Sequence, residues 1–445
     1  MAQTKPLIRQ PPEPGATVVA EAARAPKKLT LRQNFSWMFC AQMISGVLRW
    51  GLLVILAKLG GPAMVGTWTL AQAISLPVMY LTQLNLKTVL VTDAAREHTV
   101  GEYLFLRLVT NILQMMIVVG VCLWQQLDAY TTVCVVLFSV SVAALSFRQM
   151  LLAVPIRNEN TRVNARSQLI VSLATFAAVA LVLWTTGSLV WVMISIVGVR
   201  MAVVLMHDFP AALVSEKHYC PEAVQTFRPR YAPSMLRLAW TALPAGLSVA
   251  ALSYANNVPL YYLEAHHGRE AMGYFGGLYA FVAAVNIVLT PLFASVGPRL
   301  AKYFAARRRR DFLRLVGKVV LVFLAGGVVL VVVCRLWGGW ILRWALSERF
   351  HHLWREFAWT MALASIWSIY AFLSHVLQTT RHFWVTFGLQ IVMLGLTTCL
   401  SHVLVPDYGV WGVIYARLGV TLFGVVGAAA LTVGLLSRRS RVQAT

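Results

Sequence analysis

From residue 34 onward the chain is a succession of apolar runs, each about as long as a bilayer core is thick. The runs fall near 34–57, 68–91, 103–124, 131–154, 167–186, 188–207, 236–259, 273–295, 316–337, 357–379, 383–405 and 410–436. A helix needs about 20 predominantly apolar residues to cross the hydrocarbon. The spacing therefore predicts an all-α polytopic membrane protein of about twelve transmembrane helices. Gly60-Gly61-Pro62, Asp93 to Gly101, Gln125 to Asp128 and Pro406 to Gly409 punctuate the runs. The tight break Thr185-Thr186-Gly187-Ser188 fits either a two-helix hairpin or one kinked, over-long helix. Only 12% of the residues are charged, about half the share of a soluble domain. That excludes a soluble enzyme with one large core, and the number of runs excludes a single-span receptor.

The net charge is +22, which in a soluble protein would suggest a nucleic-acid partner. Its distribution gives another reason. With twelve spans and a cytoplasmic N-terminus, 29 of the 38 Lys and Arg fall on the inner side, six on the outer side and three within spans. The positive-inside rule then places both termini in the cytoplasm and the chain in the plasma (inner) membrane. The Arg307–Arg310 run reads as an anchor to anionic lipid head groups, with no nucleic acid. Residues 1–32, carrying Pro11, Pro12, Pro14 and scattered basic residues, predict a flexible cytoplasmic tail without the apolar stretch of a signal peptide. The six cysteines show no CxxC spacing, so disulfides, a metal site and a bound cofactor are not indicated.

A weak internal repeat organises the chain. Gly61-x4-Gly66 follows the first run and Gly268-x4-Gly273 follows the seventh, an offset of 207 residues in both glycines. Two parallel six-helix halves related by an axis along the membrane normal are a transporter pattern. The expected organisation is a tail over 1–32, one bundle over 33–208, a cytoplasmic linker over 209–235, a second bundle over 236–436 and a tail over 437–445. Pseudo-symmetric bundles of this kind enclose a central cavity.

Polar groups within spans are costly and mark pathways. None of the sixteen acids is expected in the middle of a span. Cations and amides are. Arg49 lies well inside the first run; Arg107, Asn111 and Gln114 share a face of the third; Asn256-Asn257 end the seventh; His375 sits in the tenth and Arg417 in the last. Snorkelling accounts equally well for Arg107 and Arg148, better for Arg200, while helix packing suits His375 and capping suits the Asn pair. Taken as substrate contacts, these residues describe a cavity with cations and amides but no carboxylates, which suits an anionic ligand. Arg matches phosphate oxygens two at a time, and the amides suit sugar hydroxyls.

The run Leu84-Asn85-Leu86-Lys87 to Thr92-Asp93-Ala94, followed by Gly101-Glu102-Tyr103 to Leu106-Arg107, resembles the polysaccharide exporters and O-antigen flippases. These belong to the multidrug/oligosaccharidyl-lipid/polysaccharide superfamily. Asn34-Phe35-Ser36-Trp37 to Leu59-Gly60-Gly61, Asn257-Val258-Pro259 to Gly273-Tyr274-Phe275, and Pro298-Arg299-Leu300-Ala301 are similar in the same way. The resemblance covers nearly the whole chain beyond residue 30. It implies a flippase, not an enzyme, that carries an oligosaccharide on undecaprenyl pyrophosphate for O-antigen and lipopolysaccharide assembly. Its implied partners are that lipid-linked substrate, anionic membrane lipids, and a polymerase and glycosyltransferases. The chain departs from the pattern at Leu260, where a basic residue is expected, which shifts the weight onto Arg49 and Arg107. Two alternatives stay open: a drug/cation antiporter of the same fold, which needs membrane carboxylates, and a membrane glycosyltransferase or polymerase, for which the one sizeable outer loop is Gly338–Glu356.

Overall fold

The computed structural model describes residues 31–441 apart from 85, 93–97, 159, 218–226, 232–233, 307 and 380–382. The tail before residue 31, the turn from Asp93, much of the 209–235 linker with Cys220, Arg307 and Arg381 thus lie outside the described residues. The elements are α1 (Leu31–Ile55), closed by a π turn (Leu56–Gly60), α2 (Gly61–Gln83), α3 (Leu86–Thr92), α4 (Val100–Trp124), α5 (Ala129–Arg157) and α6 (Thr161–Thr186). Then come α7 (Leu189–Val203), a π turn (Val204–Asp208), α8 (Phe209–Lys217), α9 (Ser234–Ala305), α10 (Arg309–Ala345), a 3-10 turn (Glu348–Leu353), α11 (Trp354–Thr379), α12 (Phe383–Tyr408) and α13 (Val410–Arg441). No strand occurs among the described residues. The protein is an all-α polytopic membrane protein.

Helix α9 has 72 residues, about 108 Å at 1.5 Å per residue, far more than one bilayer core. Gly268 breaks it into two legs with φ 75° and ψ −178°. Gly61, which begins α2 directly after the α1 π turn, has φ 74° and ψ −178°. The expected loop at Gly60-Gly61-Pro62 is therefore a kink between two helices, and its twin lies 207 residues on. Only glycine adopts this backbone without a steric penalty. Counting the two legs of α9 and treating α7–α8 as one crossing gives twelve crossings among the described residues, which puts Leu31 and Arg441 on one face, the termini face. Gly187 turns α6 into α7, so the tight break is the hairpin.

The ninth run lengthens to Arg309–Ala345, so most of the expected outer loop Gly338–Glu356 is helical, and two boundaries in the first half move. The second span is Gly61–Gln83, not 68–91, because Leu84 takes a left-handed φ of 50° and Leu86–Thr92 forms a separate short helix. The sixth does not end at 207: Phe209–Lys217 continues it beyond the π turn. Asp208 therefore lies inside a helical run and is 0% exposed, which corrects the expectation that every acid sits at a loop or helix end.

In the first half α1 packs on α6, α2 and α4 on α5, and α7 on both α5 and α6; in the second, α10 packs on α11, α12 on α13, and α13 on α11. The halves meet chiefly along α2 and α9. Toward the face opposite the termini one apolar core runs through both halves, joining Val65, Leu70 and Phe138 to Phe275, Leu278 and Val413. Toward the termini face each half has its own core, one around Leu86, Tyr103 and Met150, the other around Leu300, Phe312 and Phe372. The two bundles are thus joined at the far face and separately filled near the termini.

The join is a backbone contact. A Cβ on Gly273 would stand 2.9 Å from the Gly66 nitrogen and overlap the Pro62 carbonyl; one on Gly66 would stand 3.2 Å from the Gly273 nitrogen and overlap the Arg269 carbonyl. Pro62 and Arg269 are themselves 207 residues apart, so the contact is reciprocal, as across a two-fold axis. Gly273→Val should push the far ends apart. In a cysteine-free background, Leu278→Cys, fully buried in the shared core, should then react about tenfold faster with an impermeant maleimide added at the far face, equivalent to shifting the balance by about 1.4 kcal/mol.

Candidate functional site

In the first half, α5 and the α7–α8 run build a polar interior. Arg148 Nε donates to Asp208 Oδ2 at 2.9 Å and its Nη2 donates to Ser167 Oγ at 2.8 Å. The Ser167 hydroxyl in turn donates to Asp208, whose carboxylate also takes His207 Nδ1 at 2.9 Å. Nearer the termini face, Arg157 Nη2 reaches both oxygens of Glu216, at 2.9 and 3.0 Å. The π turn Val204–Asp208 inserts an extra residue into the helical repeat and rotates the turns after it, bringing Asp208 under Arg148. Arg148 is buried and ion-paired, so it does not snorkel. Arg200 does not either: its Nη1 donates to Ser141 O and Oγ at 2.8 and 2.9 Å.

Arg49 extends from α1 toward the same interior and is exposed. Its charge acts on Tyr80 of α2 and Arg200 of α7, and Arg148 acts on both Arg200 and Lys87. Four cations from four helices thus share one electrostatic neighbourhood, graded from exposed Arg49 through half-buried Arg200 and Lys87 to buried Arg148. Asp208 is held by Arg148. Among the described residues Arg49, Lys87 and Arg200 have no carboxylate partner.

The other expected residues are placed differently. Arg107 is 1% exposed, and no guanidinium nitrogen has a hydrogen-bond partner among the described residues. Asn111 Nδ2 donates to Ala143 O at 3.3 Å while its Oδ1 accepts from Ser146, and Gln114 Nε2 donates to Ser139 Oγ at 3.0 Å. Both amides therefore join α4 to α5. Asn257 Nδ2 donates within its own helix to Ser253 O at 2.7 Å. His375 is half-buried on α11, eight residues, or about 12 Å of helix, beyond Trp367. Asn256 and Arg417 do come together: Arg417 Nη2 donates to the Asn256 carbonyl, beside a chamber of about 40 Å³ in the second half.

Sequence reading missed Asp208, Lys87 and Tyr80. A signal existed for the first: Phe209 to Val214 continues the apolar run past Asp208, which implied an embedded acid.

On the far face Arg269, next to the Gly268 kink, pairs with Asp128, the N-cap of α5, and lies 3.8 Å from Glu264. A cleft of about 690 Å³ opens there, with Leu70 and Tyr261 among its lining residues; the Tyr261 hydroxyl donates to the Ala73 carbonyl of α2. The hydrogen bond from Arg269, with that from Thr131, holds the Asp128 carboxyl down at about 2. A carboxyl lowered in the clasped state favours that state above its free value near 4 and loses the advantage only as pH falls toward about 2. This clasp is therefore constant from about pH 5 to 8. At the rim, the Arg335 and Arg355 guanidiniums lie 5.1 and 5.2 Å from the Trp354 ring centroid, and Trp340 and Trp344 stack together, exposed.

Residues 31–304 match the family model described as "Polysaccharide biosynthesis protein". The capsular polysaccharide biosynthesis protein CapF of Staphylococcus aureus is 19% identical over 399 residues, covering 88% of this chain and 95% of that one. Among solved structures, a multidrug resistance MATE family transporter of the MOP superfamily in its inward-facing conformation superposes with TM-score 0.62 at 11% identity, covering 96% of this chain and 98% of that one. The lipid II flippase MurJ, inward closed, gives TM-score 0.62 at 12% identity over 89% and 87%. The shared fold is that of two-lobed transporters.

The Arg148–Asp208 pair predicts a structural cost. Asp208→Asn leaves a buried guanidinium without its counter-charge and should destabilise the protein by about 3–5 kcal/mol. Thermal melting of the purified protein in detergent checks this; an unchanged melting temperature would show that the pair holds nothing together.

Proposed function

Because the chain belongs to the polysaccharide biosynthesis protein family, we propose that it flips an oligosaccharide carried on undecaprenyl pyrophosphate from the cytoplasmic to the outer leaflet, for surface polysaccharide assembly. The chain is a polysaccharide flippase of the MOP superfamily, a membrane transporter and not an enzyme. The lipid-linked substrate, the direction, the plasma membrane and the cytoplasmic termini are our reading. The observation that carries it is the cluster of Arg49, Lys87, Arg148 and Arg200 with a single carboxylate, Asp208, paired to it among the described residues.

A pyrophosphate bears the charge these cations lack. Arg49 is the exposed member, so it meets the ligand first, with its planar fork on two phosphate oxygens. Arg200 and Lys87 behind it add field without contact, in surroundings where charge is poorly screened. Tyr80 and the ends of the bundle offer hydroxyls to the sugars. The separate cores near the termini face, with the far face closed at Gly66 and Gly273, support an inward-facing state in which the cluster is reached from the cytoplasm. Rocking of the two bundles about the membrane-normal axis would then open the far cleft. Polymerase and glycosyltransferase partners belong to the same reading, as do O-antigen and lipopolysaccharide as destinations beside capsule.

The antiporter reading needs a free membrane carboxylate. Asp208 and Glu216 are the buried acids among the described residues; Arg148, Ser167 and His207 occupy the first, and Arg157 the second. The charge split supports cytoplasmic termini even after Arg148 and Arg200 are set aside as interior residues.

Arg49→Ala should abolish surface polysaccharide at matched membrane abundance, and Arg49→Lys should restore part of it, since charge survives but the fork does not. Normal polysaccharide in the Ala variant would remove Arg49 from the binding site. Reporter fusions after Gln126 and after Ala305 should land outside and inside the cell respectively; finding both on one side would overturn the topology.

A further inference from the structure

The chamber beside Arg417 has no part in the proposed flipping of a lipid-linked sugar, and its chemistry is distinct. It lies wholly within the second half, between both legs of α9 (Asn256, Tyr279), α11 (Trp367), α12 (Gln390) and α13 (Arg417). Its volume of about 40 Å³ exceeds the roughly 10–15 Å³ that one water requires, yet is far too small for a sugar or a pyrophosphate.

Arg417 is 9% exposed. One of its nitrogens donates to the Asn256 carbonyl, and its guanidinium carbon lies 4.5 Å from the Tyr279 ring centroid and 5.3 Å from that of Phe275. Its Nε is buried and has no hydrogen-bond partner among the described residues. The ring faces offset part of the charge, but they do not neutralise it. Arginine does not deprotonate in proteins, and among the described residues none lining the chamber carries a carboxylate. A buried cation in this position calls for an anion.

The remaining lining groups accommodate the same sign. Thr397 and Thr421 donate their hydroxyls to the carbonyls of Met393 and Arg417, so their protons are already engaged. The Gln390 and Asn256 amides, the Tyr279 hydroxyl and the Trp367 indole N–H, on residues lining the space, can each donate; the amides and the phenol can also accept, so the fixed charge of Arg417 sets the sign. Donors, one fixed positive charge and room for a monatomic ion together define the ligand.

We propose that this chamber binds a single small inorganic anion of halide size, chloride above all, against the Arg417 guanidinium. The ion balances the buried charge of Arg417 and ties the two legs of the kinked α9 to α12 and α13. Sodium and potassium are excluded by the same Arg417. The proposal does not rest on the lipid-linked substrate.

The test uses the full-length protein in nanodiscs, with radioactive chloride binding measured at constant ionic strength and gluconate as the replacing anion. One saturable site per chain is expected, displaced by bromide and unaffected by exchanging sodium for potassium. Arg417→Gln should weaken it at least tenfold, and Gln390→Leu, which leaves the buried cation in place, should weaken it several-fold. Arg49→Gln should leave it unchanged. Should Arg417→Gln fail to fold, Gln390→Leu together with the anomalous signal of bromide in crystals of the wild type decides the matter. A bromide peak between Arg417 and Gln390 supports the site. No saturable chloride binding, binding insensitive to both chamber substitutions, or bromide found only near Arg49 would overturn it.

Discussion

The reciprocal contact of Gly66 with Gly273 is the constraint on which the rest of this architecture depends. Two helices approach until backbone meets backbone, which no residue with a Cβ permits. Each enters that approach from a glycine kink of the same conformation, Gly61 on one side and Gly268 on the other. The kinks aim α2 and the second leg of α9 across the molecule at the far face. From there the halves diverge, so the apolar core is shared at that face and divided near the termini. A joint of small residues with no interlocking side chains is also one that can part at modest cost, as alternating access requires. The ion pair of Arg269 with Asp128, on the exposed rim, guards the joint without dominating it, since exposed pairs contribute little.

Charge inside the bundles obeys a second rule: a buried cation needs a partner or a role. Arg148 has Asp208, and Arg157 has Glu216. These pairs pin α5 to the α7–α8 run and make a rigid wall. Arg49, Lys87 and Arg200 add charge to that wall without a carboxylate among the described residues to cancel it, and this surplus is what an anionic lipid carrier would neutralise. In the second half Arg417 is isolated from that group and leans on aromatic faces and a carbonyl. The two halves share a backbone plan, but their polar interiors have become different sites. Arg107 shares neither arrangement. It is enclosed without a partner among the described residues, and nothing in the structure explains it.

Much of the fold was legible in the chain because membrane insertion is governed by local quantities. The length of each apolar run, the absence of charge within it and the bias of Lys and Arg between connections act residue by residue. They determined the all-α class, the number of crossings and, through the spacing of Gly61, Gly66, Gly268 and Gly273, the internal repeat. Boundaries were less legible where helices continue through expected breaks, as at Gly60–Pro62 and beyond Asp208, because a π turn or a glycine kink leaves little mark on hydropathy. Which polar residues share a site was decided by tertiary structure alone. Asn111 and Gln114 looked like cavity amides from their spacing, but the approach of α5 gave them partners; snorkelling fitted Arg200 best and fitted Arg148 as well as a site role did, but Ser141 and Asp208 hold them within the bundle. Asn256 and Arg417, 161 residues apart, meet only because α13 packs against α9. Hydropathy reports whether a residue can lie in the membrane, whereas the partner it finds there depends on which helix packs beside it, and that is a property of the assembled bundle.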